Sequence, residues 1–293
     1  MKNNSLNQYI VHTIFILATI AALLPFLLML AASLTDENAL IKNGYSFFPE
    51  DFSLAAYAYL FDRSAEFLRA YGITIFVTAV GTFTGLLISS MLAYPLSRAD
   101  LPFKGLISFL VFFTLLFNGG LVPFYLLYTE IIPIKNTIWA LLLPNLLTNG
   151  FFILLMRSFF KTSIPTEVIE SAYLDGANEL KIYFKIVLPL SLPILATIGL
   201  MTAITYWNDW YNGLLFLTDT SLYGIQNVLY RILSDVQYLQ QNDLSGQASS
   251  ASVVPLVSVR MAIAVIGVLP LICAYPFFQK YLVSGLTLGA VKG

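Results

Sequence analysis

Apolar residues in this chain come in six long blocks, at about residues 10–34, 71–96, 105–128, 137–160, 186–206 and 259–282. Each is close to the roughly 20 residues that a helix needs to cross a hydrocarbon core of about 30 Å. The pattern predicts an all-α polytopic membrane protein, one transmembrane domain over residues 1–293 with six transmembrane helices. The first block has the position of a signal peptide ending near Leu30-Ala31-Ala32. A cleavable apolar core runs only about 7–15 residues, so the block reads as a span, kinked at Pro25. The second block is rich in Gly and Thr, which lets helices approach closely where lipid gives no hydrophobic drive to association, and it predicts an interior helix. In the third, Asn118-Gly119-Gly120 and Pro123 interrupt the pattern. Such an interruption is either backbone lining a water-filled path or a simple helix end. Pro189 and Pro193 each remove a backbone donor from the fifth block and predict a bend there.

The segments between the blocks differ in kind. Asp36 to Arg69 is a mixed, exposed connection too short for a domain of its own, and Thr129 to Asn136 is a short turn. The largest loop, Trp207 to Ser258, passes from WNDWYNGLLFL to a Gln-, Asn- and Ser-rich stretch around Gln240 to Ser252. The longest charge-rich interruption is the elbow at about 163–185, within PTEVIESAYLDGANELKIYFKIVLPLSLP. Its first part, Thr166 to Asp175, predicts a short helix: Pro165 suits a first turn, Ser163 or Thr166 supplies a cap, and Gly176 supplies a left-handed stop. Val168, Ile169, Ala172, Tyr173 and Gly176 fall on one arc, and Glu167, Glu170, Ser171 and Asp175 on the other. Ala172 and Gly176, four apart, predict a shallow groove on the apolar arc, a docking surface for another backbone or a bulky side chain.

Composition changes this picture little. With 58% hydrophobic and 11% charged residues and a mean hydropathy of +0.79, an ordinary soluble domain is excluded. The placement of charge says more than its sum of −1. Lys2, Arg98, Lys104, Arg157, Lys161, Lys181, Lys185, Lys280 and Lys292 fall on one side in short segments. Lys42, Arg63, Arg69, Lys135, Arg231 and Arg260 are spread over much longer loops on the other. The first side is therefore expected to be cytosolic, with the elbow and both termini on it.

Candidate chemistry is sparse. The centres of the six blocks hold essentially no Asp, Glu, Lys or Arg, whereas ion-coupled carriers keep such groups in the membrane at a cost of about 2.5–3.5 kcal/mol each. No G-x-x-x-x-G-K-[ST] phosphate cradle and no H-E-x-x-H occur. With His12 and Cys273 the only residues of their kinds, neither a metal site nor a Cys/His nucleophile pair is expected, and Cys273 forms no intrachain disulfide. Trp207-Asn208-Asp209-Trp210-Tyr211-Asn212 mixes flat aromatic faces with amide and carboxylate groups. That mixture suits a sugar, whose C–H faces rest on rings while its hydroxyls bond planar polar groups. It equally suits an aromatic belt at the membrane surface.

The elbow carries a resemblance. Glu170-Ser171-Ala172, three residues, Gly176, nine residues, Ile186, one residue, Leu188-Pro189 follows the E-A-A-x3-G-x9-I-x-L-P signature of permease subunits in bacterial ATP-binding-cassette importers, with Ser171 where Ala is usual. Nearly the whole chain resembles the maltose-type carbohydrate permeases, on the side of their second, G-type subunit. The resemblance implies a type I importer permease fold in a bacterial inner membrane, with a cytosolic coupling helix. It implies that Glu170, Ser171, Ala172, Gly176, Ile186, Leu188 and Pro189 couple to an ATPase, and that the tail residues Gly289, Val291, Lys292 and Gly293 touch it. The implied partners are a second, different permease subunit, two ATP-binding subunits holding ATP and Mg, an external solute-binding protein and membrane lipid, and no nucleic acid. The chain itself is expected to bind no cofactor and to be no enzyme. Its cargo is expected to be a sugar or oligosaccharide, acidic ones included. The alternatives are a permease for a non-sugar solute and an energy-independent channel or carrier.

Overall fold

The first apolar block becomes a 31-residue helix, Asn3–Ser33, that runs through Pro25 without a break. Residues Gln8–Ser33 have a mean hydropathy of 2.7, and large apolar side chains such as Ile14, Phe15 and Leu17 stand outward along it. An apolar surface on every side is what lipid tolerates and water does not. This is a computed structural model; it describes residues 3–146, 149–243, 257–270, 272–273 and 276. Among them all regular structure is helical, and the one β contact is an isolated bridge between Thr35 and Phe52.

The chain divides into two units, Met1–Phe67 with Leu229–Leu271, and Leu68–Val228 with Ile272–Gly293. In the first, the short helix Glu37–Asn43 is capped by Asp36, whose carboxylate accepts from the Asn38 amide at 2.9 Å. It presents the buried Glu37, which accepts from the Val257 and Ser258 amides at 2.7 and 2.9 Å. A carboxylate there meets the exposed amides and positive dipole end of the apolar helix Val257–Pro270.

The second unit is built on residues 68–97 of the 34-residue helix Ser64–Ser97. Its glycine and hydroxyl residues permit close approach, as their abundance predicts. A Cβ at Gly81 would lie 2.6 Å from the Tyr206 ring, so that ring rests directly on the helix backbone. Two other apolar blocks are bent. Lys104–Leu116 and Leu121–Ile131 meet at 113°, and Glu179–Leu190 and Leu192–Trp207 meet at 81°. The first bend falls on the predicted interruption, where Gly120 takes φ +86° and the Asn118 side chain accepts from the Gly120 amide at 2.8 Å. The second falls at the buried Ser191, between Pro189 and Pro193. Before Pro189 the helix widens over Tyr183–Val187 into one π turn, the Leu188 amide bonding the Tyr183 carbonyl.

The fourth block is a pair of shorter helices, Trp139–Leu146 and Gly150–Ser163, the second capped by the Asn149 side chain. By length and composition two helices are apolar enough to cross a membrane, or up to four if each bent pair is one span, among the described residues. Most of the second half of the block at 259–282 and the tail at 289–293 lie outside the described residues.

Candidate functional site

The elbow folds as a helix, Thr166–Leu174. Neither Ser163 nor Thr166 caps it: Pro165 occupies the N-cap with φ −62° and ψ 134°, without a side-chain bond. The stop is the one the sequence predicts. Gly176 has φ +77°, its amide bonds the Tyr173 carbonyl at 2.9 Å, and the Ala177 amide bonds the Ala172 carbonyl at 2.9 Å. Those two bonds are a Schellman motif, which closes the last turn only when the residue after the cap is left-handed.

Which face is free differs from the predicted groove. Ile169 and Ala172 are buried in one apolar cluster with Tyr94, Met156, Phe160, Ile164, Ile182 and Tyr183. The small residue at 172 therefore seats the elbow on the chain's own core, and a Cβ at Gly176 would meet nothing within 4 Å. The outward face is formed by Glu167, Glu170, Ser171 and Leu174, three or four residues apart. Leu174 is 90% exposed, and amphipathic patterning alone did not single it out. Further along, Ile186, Leu188 and Pro189 belong to the Glu179–Leu190 helix, with Ile186 and Leu188 packed against the same cluster.

The elbow is joined to its surroundings through Glu179, a residue the signature does not include. The Tyr94 hydroxyl donates to one carboxylate oxygen at 2.7 Å, and the Tyr173 hydroxyl donates to the other. Loss of surrounding water, then the bond to Glu179 and its charge, push the Tyr173 phenol up to about 12, so it stays a donor at neutral pH. The Arg98 guanidinium lies 5.8 Å from the Tyr173 ring centre and pairs with Asp100 at 3.4 Å. Asn178 caps the next helix by accepting from the Lys181 amide at 2.9 Å. Beside these groups is a cavity of about 370 Å³, lined by Tyr94, Arg98, Asp100, Glu179, Leu180 and Tyr183 among others.

The aromatic segment lies at the other end of the Ser64–Ser97 helix, where Tyr71 packs at 6.3 Å ring separation on Trp207. It is divided in two. Trp207 and Asn212 are buried, while Asn208, Trp210 and Tyr211 are exposed. Asp209 points back into the fold and accepts from the Asn212 backbone and side-chain amides at 3.2 and 2.7 Å. Burial pushes the Asp209 carboxyl above the usual carboxylate range, against the pull of the two Asn212 bonds. Trp210 and Tyr211 stand edge to face with ring centres 6.0 Å apart. The buried Asn227, absent from the sequence reading, donates to the Trp210 carbonyl at 2.6 Å. Its side chain fills the place of a Cβ at Gly213. A lone Asn in a polar helix carries no pattern that would have marked it. Among the described residues, no group of three or more His, Cys, Asp or Glu gathers as a metal site would.

Known proteins agree with this architecture. The profile of a family described as the binding-protein-dependent transport system inner membrane component matches residues 81–288. The polygalacturonan/rhamnogalacturonan transport system permease protein YtcP of Bacillus subtilis is 38% identical over 293 residues, covering the whole of both chains. Protein LplC of the same organism is 37% identical over 273 residues, covering 92% of this chain and 90% of its own. A chain from the crystal structure of a bacterial ABC transporter involved in import of the acidic polysaccharide alginate matches with a TM-score of 0.79. It is 29% identical, and the match covers 96% of this chain and 98% of that one. The profile spans well over half of the sequence and YtcP all of it: this chain belongs to the family of inner-membrane components of binding-protein-dependent transport systems.

Proposed function

We propose that this chain is one of two different permease subunits of an ATP-driven importer, and that it carries acidic oligosaccharides released from plant or algal polysaccharides. In this reading it crosses the bacterial inner membrane six times, with both termini and the elbow in the cytosol. An external binding protein delivers the sugar, and two partner ATPases hold ATP and magnesium. The outward face of Glu167, Glu170, Ser171 and Leu174 docks on them. Closure of the ATPase pair moves the elbow, and the path changes from inward to outward opening. Only a contact that differs between the two ATPase states can drive that change. Trp210 and Tyr211 line the sugar's path at the opposite face, held by Asp209, Asn212 and Asn227. The tail from Gly289 to Gly293 reaches the ATPases.

One observation carries the reading: the signature Glu170-Ser171-Ala172-x3-Gly176 is folded as a short helix with a glycine stop, seated by Ile169 and Ala172, that turns Leu174 outward. An apolar side chain on so polar a face gains about 1.5–3 kcal/mol when a partner covers it. Acidic cargo is supported by the name of YtcP and by the alginate importer.

The test is uptake of labelled oligogalacturonides into vesicles holding the complete complex. Uptake should need ATP inside the cell-facing compartment, and Leu174→Glu should lower uptake and binding-protein-stimulated ATP hydrolysis by about tenfold, a coupling loss of ~1.4 kcal/mol. Sugar flowing down its gradient without ATP would instead identify a channel.

A further inference from the structure

We infer that Glu179 is the joint through which movement of the elbow reaches the Ser64–Ser97 helix, a positioning role that rests on the coupling reading above. Its carboxylate is the meeting point of three elements. Tyr173 reaches it from the last turn of the elbow, Tyr94 from the end of the long helix, and Glu179 itself opens Glu179–Leu190, which leads into the 81° bend. A carboxylate in a first helical turn is favoured by the helix dipole. Each oxygen then takes a phenol, and hydrogen bonds to a charged acceptor are about twice as strong as neutral ones.

Two further contacts join the same elements. Arg98, one turn beyond Tyr94, lies over the Tyr173 ring. The Tyr94 and Tyr183 rings are 5.7 Å apart, and the buried Tyr183 hydroxyl shares a 2.7 Å bond with Ser90. The elbow and Glu179 are separated only by the Schellman turn and the Asn178 cap, both closed by their own hydrogen bonds. A tilt of the elbow therefore either breaks the Tyr173–Glu179 bond or carries Glu179 with it, and Glu179 carries Tyr94. The cavity of about 370 Å³ beside the cluster supplies the room for that displacement without overpacking. Nothing in the packing requires a charge here: Tyr173 and Glu179 are both exposed enough to be solvated separately. Their convergence is what the joint consists of.

The experiment uses the complete complex in vesicles. Glu179→Leu should lower binding-protein-stimulated ATP hydrolysis and uptake by roughly five- to tenfold. Glu179→Gln, which can still accept from one phenol and donate to the other, should recover most of both. Tyr173→Phe removes a single hydroxyl from an exposed ring and should lose several-fold on its own. Combined with Glu179→Leu it should add nothing, because the shared bond is already gone. Wild-type stimulation in Tyr173→Phe, or losses that multiply in the double variant, would overturn the joint. Should Glu179→Leu fail to assemble, Tyr173→Phe with Glu179→Gln decides the matter. If Leu174→Glu lowers stimulation while the Tyr173 and Glu179 variants do not, only the joint fails. If Leu174→Glu also leaves stimulation unchanged, the coupling reading fails with it.

Discussion

The two ends of one helix carry the two candidate surfaces, and they are held by different means. Tyr71 and Tyr94 are both on Ser64–Ser97, and at 1.5 Å per residue they are about 35 Å apart, enough to cross a hydrocarbon core. At the Tyr94 end, the fixing carboxylate takes its bond from a residue 85 positions away. At the Tyr71 end, the Asp209 carboxylate accepts from Asn212, three positions on, and Asn227 donates to the Trp210 carbonyl. Long-range bonds transmit movement between elements, whereas local caps fix the shape of one. On the proposed coupling reading, the elbow is the part that moves and the aromatic segment is the part that holds its shape, a platform.

The largest expected effect comes from breaking the platform. A Cβ at Gly213 would lie 2.2–2.5 Å from three atoms of the Asn227 side chain, which is buried and tied to the Trp210 carbonyl. Gly213→Ala should therefore displace Asn227 and cost about 2–5 kcal/mol, the sum of overpacking and a lost buried bond. Thermal unfolding of the purified complex measures this, and an unchanged midpoint would mean that the platform yields easily.

Next comes the elbow. Gly176→Leu places a Cβ in open space, so its cost is the left-handed backbone alone, about 1–2 kcal/mol. It should lower stimulated ATP hydrolysis without preventing assembly, and Gly176→Asn, which tolerates that conformation, should restore most of it. Equal behaviour of Leu and Asn would show that the Schellman stop does not matter to coupling.

Why the sequence was readable in some places and not others follows from the same residues. The elbow's glycine stop, the break at Asn118-Gly119-Gly120 and the bend near Pro189 and Pro193 are backbone properties, written in residue types at single positions. Ala172 shares an arc with Ile169, as the pattern predicts, and is covered by the chain's own core, because periodicity reports which residues share a face and not what covers it. Glu179, Leu174 and Asn227 were out of reach because each acquires meaning only from residues brought close by the fold. The continuous helix expected at 137–160 is interrupted at Asn149, whose side chain accepts from the Phe151 and Phe152 amides. An Asn-capped start inside an apolar run is a local signal that hydropathy averages away.

A smaller effect is expected at the exposed face of the platform. Trp210→Ala removes one ring of the edge-to-face pair without touching the buried bonds of Asp209 or Asn227. Apparent affinity for the sugar should weaken roughly tenfold, about 1.4 kcal/mol, with the unfolding midpoint unchanged. Unchanged affinity would reduce the segment to a membrane-surface belt.

The smallest effect concerns Asp209 and sharpens the claim that the platform is held by geometry rather than by charge. Its carboxyl is raised by burial, so the folded protein holds the proton more tightly than the unfolded chain. The sign follows: the contribution of this group to stability is fully present below the unfolded carboxyl range and is lost as pH rises through the raised folded value. At neutral pH the charged form is therefore a cost that the two Asn212 bonds partly offset. Asp209→Asn keeps an acceptor for the Asn212 amide and carries no charge, so it should lose only this group's contribution to the pH dependence of the unfolding midpoint, with uptake close to wild type. Asp209→Ala, which removes the acceptor of both Asn212 bonds, should cost ~1 kcal/mol in acid, where the wild-type carboxyl is neutral. A midpoint for the wild-type complex that falls relative to Asp209→Asn as pH rises is the expected result. The opposite slope would mean that the Asp209 charge is held by a partner group and contributes to the site directly.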